Sequence, residues 1–163
     1  MKVDKIVKST VEEELEITKA TLLSIKEAEE YLTNEERKYE RWWWLRSPSS
    51  YSGYTAGVNS NGNIYNRGSR VTYINDCVRP ALQITNLESS NLKIGDTFKI
   101  SDYEFKIISK ELAWMYKQDI GRHAFNTDYK EENKEGNNYE TSDVKKYVDK
   151  WFRLLMFNES EER

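Results

Sequence analysis

Two short apolar segments, each containing an arginine and a proline, constrain the fold of this chain more than any other feature. Residues 42–48 read W-W-W-L-R-S-P, and residues 78–82 read V-R-P-A-L. An unpaired charge inside an apolar strand would cost several kcal/mol, so such an arginine needs hydrogen-bonded partners. We therefore expect Arg46 and Arg79 to be buried or half-buried and to hydrogen-bond carbonyls or carboxylates. The predicted structural residues of these segments are Trp43, Trp44, Arg46, Pro48, Arg79 and Pro80.

Hydrophobic periodicity predicts two helices. Ser24 and Glu27 have the spacing of a capping box, in which each side chain hydrogen-bonds the backbone of the other residue. A helix should therefore run from there to about Leu32 and stop near Asn34. Apolar residues recur at helical spacing over residues 144–155, behind a threonine or serine cap, and predict the second helix.

Two hairpins are also predicted from local patterns. Alternating apolar residues lie on either side of Ser101 and Asp102, and short apolar strands flank Asn61 and Gly62. An Asn-Gly pair favours a hairpin because both residues tolerate positive φ. Two helices packed on a mixed, mostly antiparallel sheet make an α+β fold, and 163 residues suffice for a single domain, residues 1–163, with its own core.

The composition indicates a soluble, folded protein. Hydrophobic residues make up 37% of the chain and charged residues 33%, and aromatic residues, at 13%, supply much of the apolar volume. One cysteine allows no internal disulfide, and the first residues are charged, unlike a signal peptide. No stretch approaches membrane-spanning length, so we expect a cytoplasmic protein without membrane contact. The charged ends, residues 1–10 and 158–163, are expected to be flexible.

Residues 42–48 and 78–82, with the polar hairpin between them, resemble the signature of an uncharacterised bacterial domain family that reads W-W-L-R-S-P and then V-R-P-A-L. This resemblance implies a C-type-lectin-like fold and says little about chemistry. It covers roughly residues 15–157. It departs from the family pattern at Ser49 and Cys77, where the family has glycine.

The two halves of that family occur here in the opposite order. The half that resembles residues 92–157 comes first in the family, and the half that resembles residues 15–86 comes second. The chain is therefore expected to be circularly permuted, with the polar residues 86–91 joining the original ends, because domain termini are usually exposed and often close together. A rival interpretation is that the chain straddles two tandem domains. A permuted domain can be a monomer, whereas the rival requires a swapped dimer or a filament.

The sequence favours no catalytic or metal centre. Cys77 and His123 are the only cysteine and histidine, so a nucleophilic pair would need both, and a zinc site would need more. The prolines follow Ser47 and Arg79, so the E-P-N or Q-P-D calcium tripeptide of C-type lectins does not occur. The related formylglycine-generating enzymes carry a cysteine pair. We therefore expect no cofactor, no metal and no enzymatic activity.

The hairpin region, residues 49–73, has the composition of a binding loop. It is rich in tyrosine, serine, glycine, asparagine and arginine, which give large contact area and adaptable hydrogen bonding. Residues 41–86 contain five arginines, no lysine and one acid, Asp76. The alternative is a sheet-edge hairpin whose asparagines and glycines serve turns. The candidate binding residues are Tyr51, Tyr54, Asn61, Tyr65, Arg67 and Arg70.

Residues 128–143 form the second candidate contact face. They hold six acids against two lysines, a local charge of −4. Such a run is commonly a solvated face. It could also contact a basic partner through Glu131, Glu132 and Glu135.

Two classes of function fit these features. The first is a non-enzymatic recognition module that binds another protein through the tyrosine-rich hairpin or the acidic loop. Its narrower form is a phage or mobile-element inhibitor of a host nucleic-acid enzyme, such as an anti-CRISPR protein, whose acidic loop occupies a basic channel. The second is a lectin-like domain that binds a ligand or nucleic acid through its arginines and tyrosines, because aromatic stacking and guanidinium groups hold single strands.

Overall fold

The computed structural model describes residues 5–8, 14–129 and 135–161. Within them the chain is a mixed α and β protein that divides into two compact units. The first unit takes the described residues of Met1–Thr21, Pro80–Gln118 and Val148–Arg163, and the second takes those of Leu22–Arg79 and Asp119–Tyr147.

Nine strands and three α-helices form within the described ranges. In chain order they are β1 (Lys5–Lys8), β2 (Glu14–Thr21), α1 (Ile25–Tyr31), α2 (Asn34–Arg37), β3 (Trp43–Pro48), β4 (Tyr54–Val58), β5 (Ile64–Arg70), β6 (Ala81–Ile84), β7 (Thr97–Ile100), β8 (Tyr103–Ser109), β9 (Leu112–Met115) and α3 (Asp143–Glu161). Two short 3₁₀ turns lie at Leu87–Ser89 and Tyr139–Thr141.

The first unit is built on a six-stranded antiparallel sheet in the order β1-β2-β6-β9-β8-β7. The hairpin predicted around residues 101–102 is confirmed, because Ile100 pairs with Tyr103 across the turn between β7 and β8. Trp151 of α3 packs edge-on against Tyr103, with ring centroids 5.5 Å apart. The predicted second helix is confirmed, and it is longer than the apolar stripe that predicted it.

The second unit contains the three-stranded antiparallel sheet β3-β4-β5 and the short helices α1 and α2. The capping box predicted for α1 is confirmed: the Glu27 N–H donates to Ser24 Oγ at 3.1 Å, and the Ser24 N–H donates to Glu27 Oε1 at 2.9 Å. The hairpin predicted at Asn61-Gly62 is also confirmed, with Val58 paired to Ile64.

Two details of the predicted fold are wrong. The structure has a third helix, α2, because Thr33 and Glu36 form their own capping box directly after α1. The single predicted sheet is two sheets. Cys77 makes isolated bridges to Trp43 and to Arg122 instead of extending a strand. Strand β6 begins only after Pro80, since proline cannot donate to a strand ladder.

Residues 15–86 and 92–157 pair with each other inside one chain. Strand β6 of the first segment lies antiparallel to β9 of the second, with Leu82 opposite Ala113. Each of the two compact units contains residues from both segments, so the boundary between the units does not coincide with the boundary between the segments. The permuted order and the single domain therefore stay predictions.

Candidate binding site

The hairpin of β4 and β5 carries a wide bulge that shapes the candidate site. Thr55 pairs with Ser69 and Gly57 pairs with Tyr65, so three residues of β5 lie opposite a single residue of β4. Gly68, in this bulge, has a φ of +65°, and a Cβ there would overlap the Thr55 carbonyl. Glycine is therefore the residue that this backbone accepts.

Two arginines of β5, one of them in the bulge, lie near two tyrosine rings. The Arg67 guanidinium lies 4.7 Å from the Tyr54 ring centroid and 5.2 Å from that of Tyr51. The Arg70 guanidinium lies 5.5 Å from the Tyr54 ring, and the two tyrosines meet edge to face at 6.2 Å. We call these four residues the Tyr–Arg surface. Tyr51 is 58% exposed, so the surface faces solvent.

A buried amide holds the turn that leads into this surface. The Asn137 Nδ2 group donates to the carbonyls of Ser49, Tyr51 and Tyr54 at 2.9–3.0 Å. Asn137 itself is only 7% exposed. A network of this kind fixes the conformation of the turn.

A hydroxyl-rich cavity lies beside the Tyr–Arg surface. Its volume is about 550 Å³. Its lining residues are Ser50, Tyr51, Ser52, Gly53, Tyr54, Arg70, Thr72 and Tyr129. The Tyr129 and Ser52 hydroxyls are hydrogen-bonded at 2.9 Å, so this wall is also ordered. The cavity can accept a polar side chain or a small polar ligand.

Two predicted binding residues, Tyr65 and Asn61, lie outside the Tyr–Arg surface and outside the cavity beside it. Tyr65 stacks on Trp42, with centroids 5.3 Å apart and an interplanar angle of 24°. Asn61 is exposed in the loop between β4 and β5, where its N–H donates to the Asn59 side chain at 3.0 Å. Asn61 therefore serves a turn, as the alternative interpretation of the hairpin requires.

The acidic face is only partly described. Glu131 and Glu132 lie outside the described residues. Glu135 is exposed and accepts a hydrogen bond from Asn138 Nδ2 at 2.6 Å. Because Asn137 binds the turn of the Tyr–Arg surface, Glu135 belongs to a loop that is anchored at this surface. Of the acidic face, the described residue Glu135 therefore lies in a loop next to the Tyr–Arg surface.

The arginines of the two apolar segments have different surroundings. Arg46 is half-buried and donates to the Leu22 carbonyl and to Glu27 Oε1, both at 2.7 Å. Arg79 is 1% exposed, and its guanidinium lies 4.2 Å from the Tyr39 ring centroid and 4.9 Å from that of Trp43. Burial lowers the pKa of Arg79 to about 10, so the group stays charged at neutral pH.

The remaining structural residues anchor the core of the second unit and the start of β6. Trp43 and Trp44 are fully buried. Their indole N–H groups donate to the Arg37 carbonyl at 3.1 Å and to the His123 carbonyl at 2.8 Å. Pro48 pairs with Thr55 at the end of β3, and Pro80 accepts a bond from Met115 at 3.0 Å.

The cysteine and the histidine, the two candidate members of a nucleophilic pair, have different surroundings. Burial raises the pKa of the Cys77 thiol to about 12, which keeps it protonated and poorly nucleophilic at neutral pH. The His123 ring stacks on Tyr147 at 4.5 Å, and its Nδ1 lies 2.7 Å from the Ala124 carbonyl. Within the described part of the chain, no group of three or more histidine, cysteine or acidic residues could hold a metal ion.

Two polar features of the second unit were missed by sequence reasoning. The Tyr39 hydroxyl hydrogen-bonds the Asp119 carboxylate across 80 positions of sequence, a distance at which no local pattern gives a signal. Asp76 is buried and lines a second cavity. The composition could have drawn attention to Asp76, because it is the one acidic residue in residues 41–86, which contain five arginines.

Comparison with known proteins gives one match. Residues 6–86 match the model of a family described as a domain of unknown function (DUF6273). This part of the chain is similar to an uncharacterised domain family. The DUF6273 match includes residues 42–48, residues 78–82 and the whole Tyr–Arg surface. No curated protein and no solved structure matches the chain.

Among the described residues, no helix has both the length and the apolar character needed to cross a membrane.

Proposed function

We propose that this chain is a non-enzymatic recognition module that binds another protein through the Tyr–Arg surface. The observation that carries the proposal is the arrangement of two arginines over two tyrosine rings on a turn that Asn137 fixes. Tyrosine and arginine are the residues that most often dominate the energy of protein interfaces. A fixed turn lets them bind without a large ordering cost.

A second candidate function uses the same residues on a different ligand. Guanidinium groups beside exposed aromatic rings, next to a hydroxyl-lined cavity of about 550 Å³, are also suited to an anionic ligand or a single-stranded nucleic acid. The local excess of arginine favours such a ligand, and the net charge of −3 opposes it at long range. Binding to nucleic acid would weaken steeply with salt.

The inhibitor form of the proposal adds the acidic loop. Glu135 lies in a loop anchored to the turn of the Tyr–Arg surface, so a single partner could contact both. Acidic side chains that occupy a basic nucleic-acid channel would then speed association. This narrower proposal, an inhibitor such as an anti-CRISPR protein, rests on the charge of residues 128–143.

Substitutions on the Tyr–Arg surface test the function. The partner is first isolated from the native host with the full chain and then titrated by calorimetry. Tyr54→Ala and Arg67→Ala are each expected to weaken binding by about 1–3 kcal/mol without unfolding the protein, because central aromatic and arginine contacts carry most interface energy. Lys26→Ala, an exposed change on α1 in the same unit, is the matched control and should bind like the parent.

Three further results distinguish the proposed functions. Parental affinity in both variants would show that the Tyr–Arg surface is not the contact. Reversal of Glu131, Glu132 and Glu135 to lysine should slow association strongly at low salt if the inhibitor form holds. Retention of the parent on a single-stranded DNA column, lost in Arg67→Ala and at high salt, would favour the second function.

We propose further that the chain has a circularly permuted C-type-lectin-like fold. The family match over residues 6–86 and the pairing of β6 with β9 inside one chain support this proposal. A self-contained permuted domain is expected to be a monomer by light scattering at every concentration. An assembly larger than a monomer, with residues 15–86 contacting residues 92–157 only between molecules, would support two tandem half-domains instead.

A further inference from the structure

A second cavity in the second unit has a buried acid in its wall. Its volume is about 410 Å³, which is within the range of small-ligand sites. Its lining residues are Trp42, Gly68, Ser69, Arg70, Tyr73 and Asp76. This cavity shares only Arg70 with the Tyr–Arg surface. A ligand bound in it would therefore be distinct from the partner proposed above.

Asp76 lacks the partners that a buried carboxylate needs. The residue is 1% exposed, and Ser69 hydrogen-bonds its side chain. Its Oδ2 atom has no hydrogen-bond partner in the described part of the chain. Burial raises the pKa of Asp76 to about 6, so the group is still ionised at neutral pH. An unpaired buried charge is costly, and such groups concentrate at functional sites.

The other walls of the cavity indicate which cation would complete this site. Trp42 and Tyr73 supply aromatic rings, which attract organic cations, and Trp42 is held in place by its stack on Tyr65. A metal ion needs several oxygen or nitrogen ligands, and among the described residues no group of three or more acidic, histidine or cysteine residues could hold one. An organic cation needs only one carboxylate and an apolar wall.

We propose that this cavity binds the alkylammonium end of an organic cation, with the Asp76 carboxylate as its acceptor. The Trp42 and Tyr73 rings contact the alkyl chain, and the Ser69 hydroxyl holds the carboxylate in place. Among the described residues of the wall, Arg70 is the one like charge, and its guanidinium lies over the Tyr54 ring at 5.5 Å. The alkylammonium group can come from a free amine or from a lysine side chain of a polypeptide.

Calorimetry and chemical-shift mapping with simple probes test this site. The parent should bind n-butylammonium, and the amide signals of Ser69, Arg70 and Asp76 should shift. Neutral n-butanol and anionic butyrate, which have similar chains, should bind at least about tenfold more weakly, as should n-butylammonium to Asp76→Asn. Asp102→Asn, an exposed change in the first unit, is the control and should bind like the parent. Arg70→Ala should bind the probe more tightly, because a like charge is removed.

The source of the cation is decided by a second probe. Equal binding of N-acetyl-lysine methylamide assigns the site to a lysine side chain, and binding of n-butylammonium alone assigns it to a free amine. The proposal is overturned if the parent does not bind n-butylammonium, if butyrate binds instead, or if Asp76→Asn binds as well as the parent. The shift mapping uses the parent alone, so it decides the matter even if Asp76→Asn does not fold.

Discussion

Replacing Arg79 with alanine is expected to lower the free energy of unfolding by about 3–5 kcal/mol. The side chain is 1% exposed and lies against the Tyr39 and Trp43 rings. Its loss would leave a cavity in the second unit and remove two cation–π contacts in a water-excluded place, where such contacts are strongest. Urea denaturation followed by tryptophan fluorescence measures the change.

Two further arginine variants and one control make this result specific. Arg79→Lys keeps the charge and loses the planar group that stacks on the rings, so it should be intermediate. Arg79→Met fills most of the volume without charge and should be less destabilised than alanine. Arg122→Ala removes an exposed arginine of the same unit and should stay within about 0.5 kcal/mol of the parent. A parental unfolding curve for Arg79→Ala would contradict the structural role of this residue.

Replacing Asp76 with asparagine is expected to stabilise the protein by about 1–3 kcal/mol above pH 7. The folded pKa, about 6, lies above the ordinary value of 3.8, so ionisation of Asp76 costs the folded state free energy. Asparagine has the same shape and carries no charge, and its oxygen can still accept the Ser69 hydrogen bond. Thermal unfolding should therefore show a melting temperature several degrees higher for the variant.

The pH dependence of this difference follows from the same pKa shift. At pH values well below 3.8, Asp76 is protonated in both folded and unfolded states, so parent and variant should be equally stable. The difference should grow as the pH rises through 3.8 toward 6 and level off above that. Three other titratable or charged residues lie near Asp76: Arg70 in the wall, Cys77 next to it in sequence, and His123, whose backbone N–H donates to the Asp76 carbonyl. They are present in both proteins, so their contributions cancel. A variant that is less stable at every pH would show that the charge is structural.

Features set by neighbours in sequence could be predicted, and features set by distant residues could not. The capping box of Ser24 and Glu27 and the turn at residues 101–102 depend on local spacing, and both are present. Helix α2 was not predicted, although Thr33 and Glu36 have the same capping spacing. The helix is only four residues long, about one turn, so its apolar residues cannot repeat at helical spacing.

The candidate site shows the same limit. Its residue types were predictable, since tyrosine and arginine are concentrated in residues 49–73. Its geometry was not, because the support comes from Asn137, which lies more than 80 positions away from the turn that it holds. The cavity at Asp76 combines Trp42 with residues 68–76, and its assembly depends on the pairing of β4 with β5.

We also expect the bulge of β5 to oppose aggregation. Strand β5 is the last strand of its sheet, and a straight strand in that place would offer an unbroken row of backbone donors and acceptors to a strand from another molecule. Three unpaired residues around Gly68 interrupt that row, and two arginines nearby add repulsion between copies. The conformation that turns Arg67 toward the tyrosines thus also interrupts the open edge of the sheet, and both features depend on Gly68.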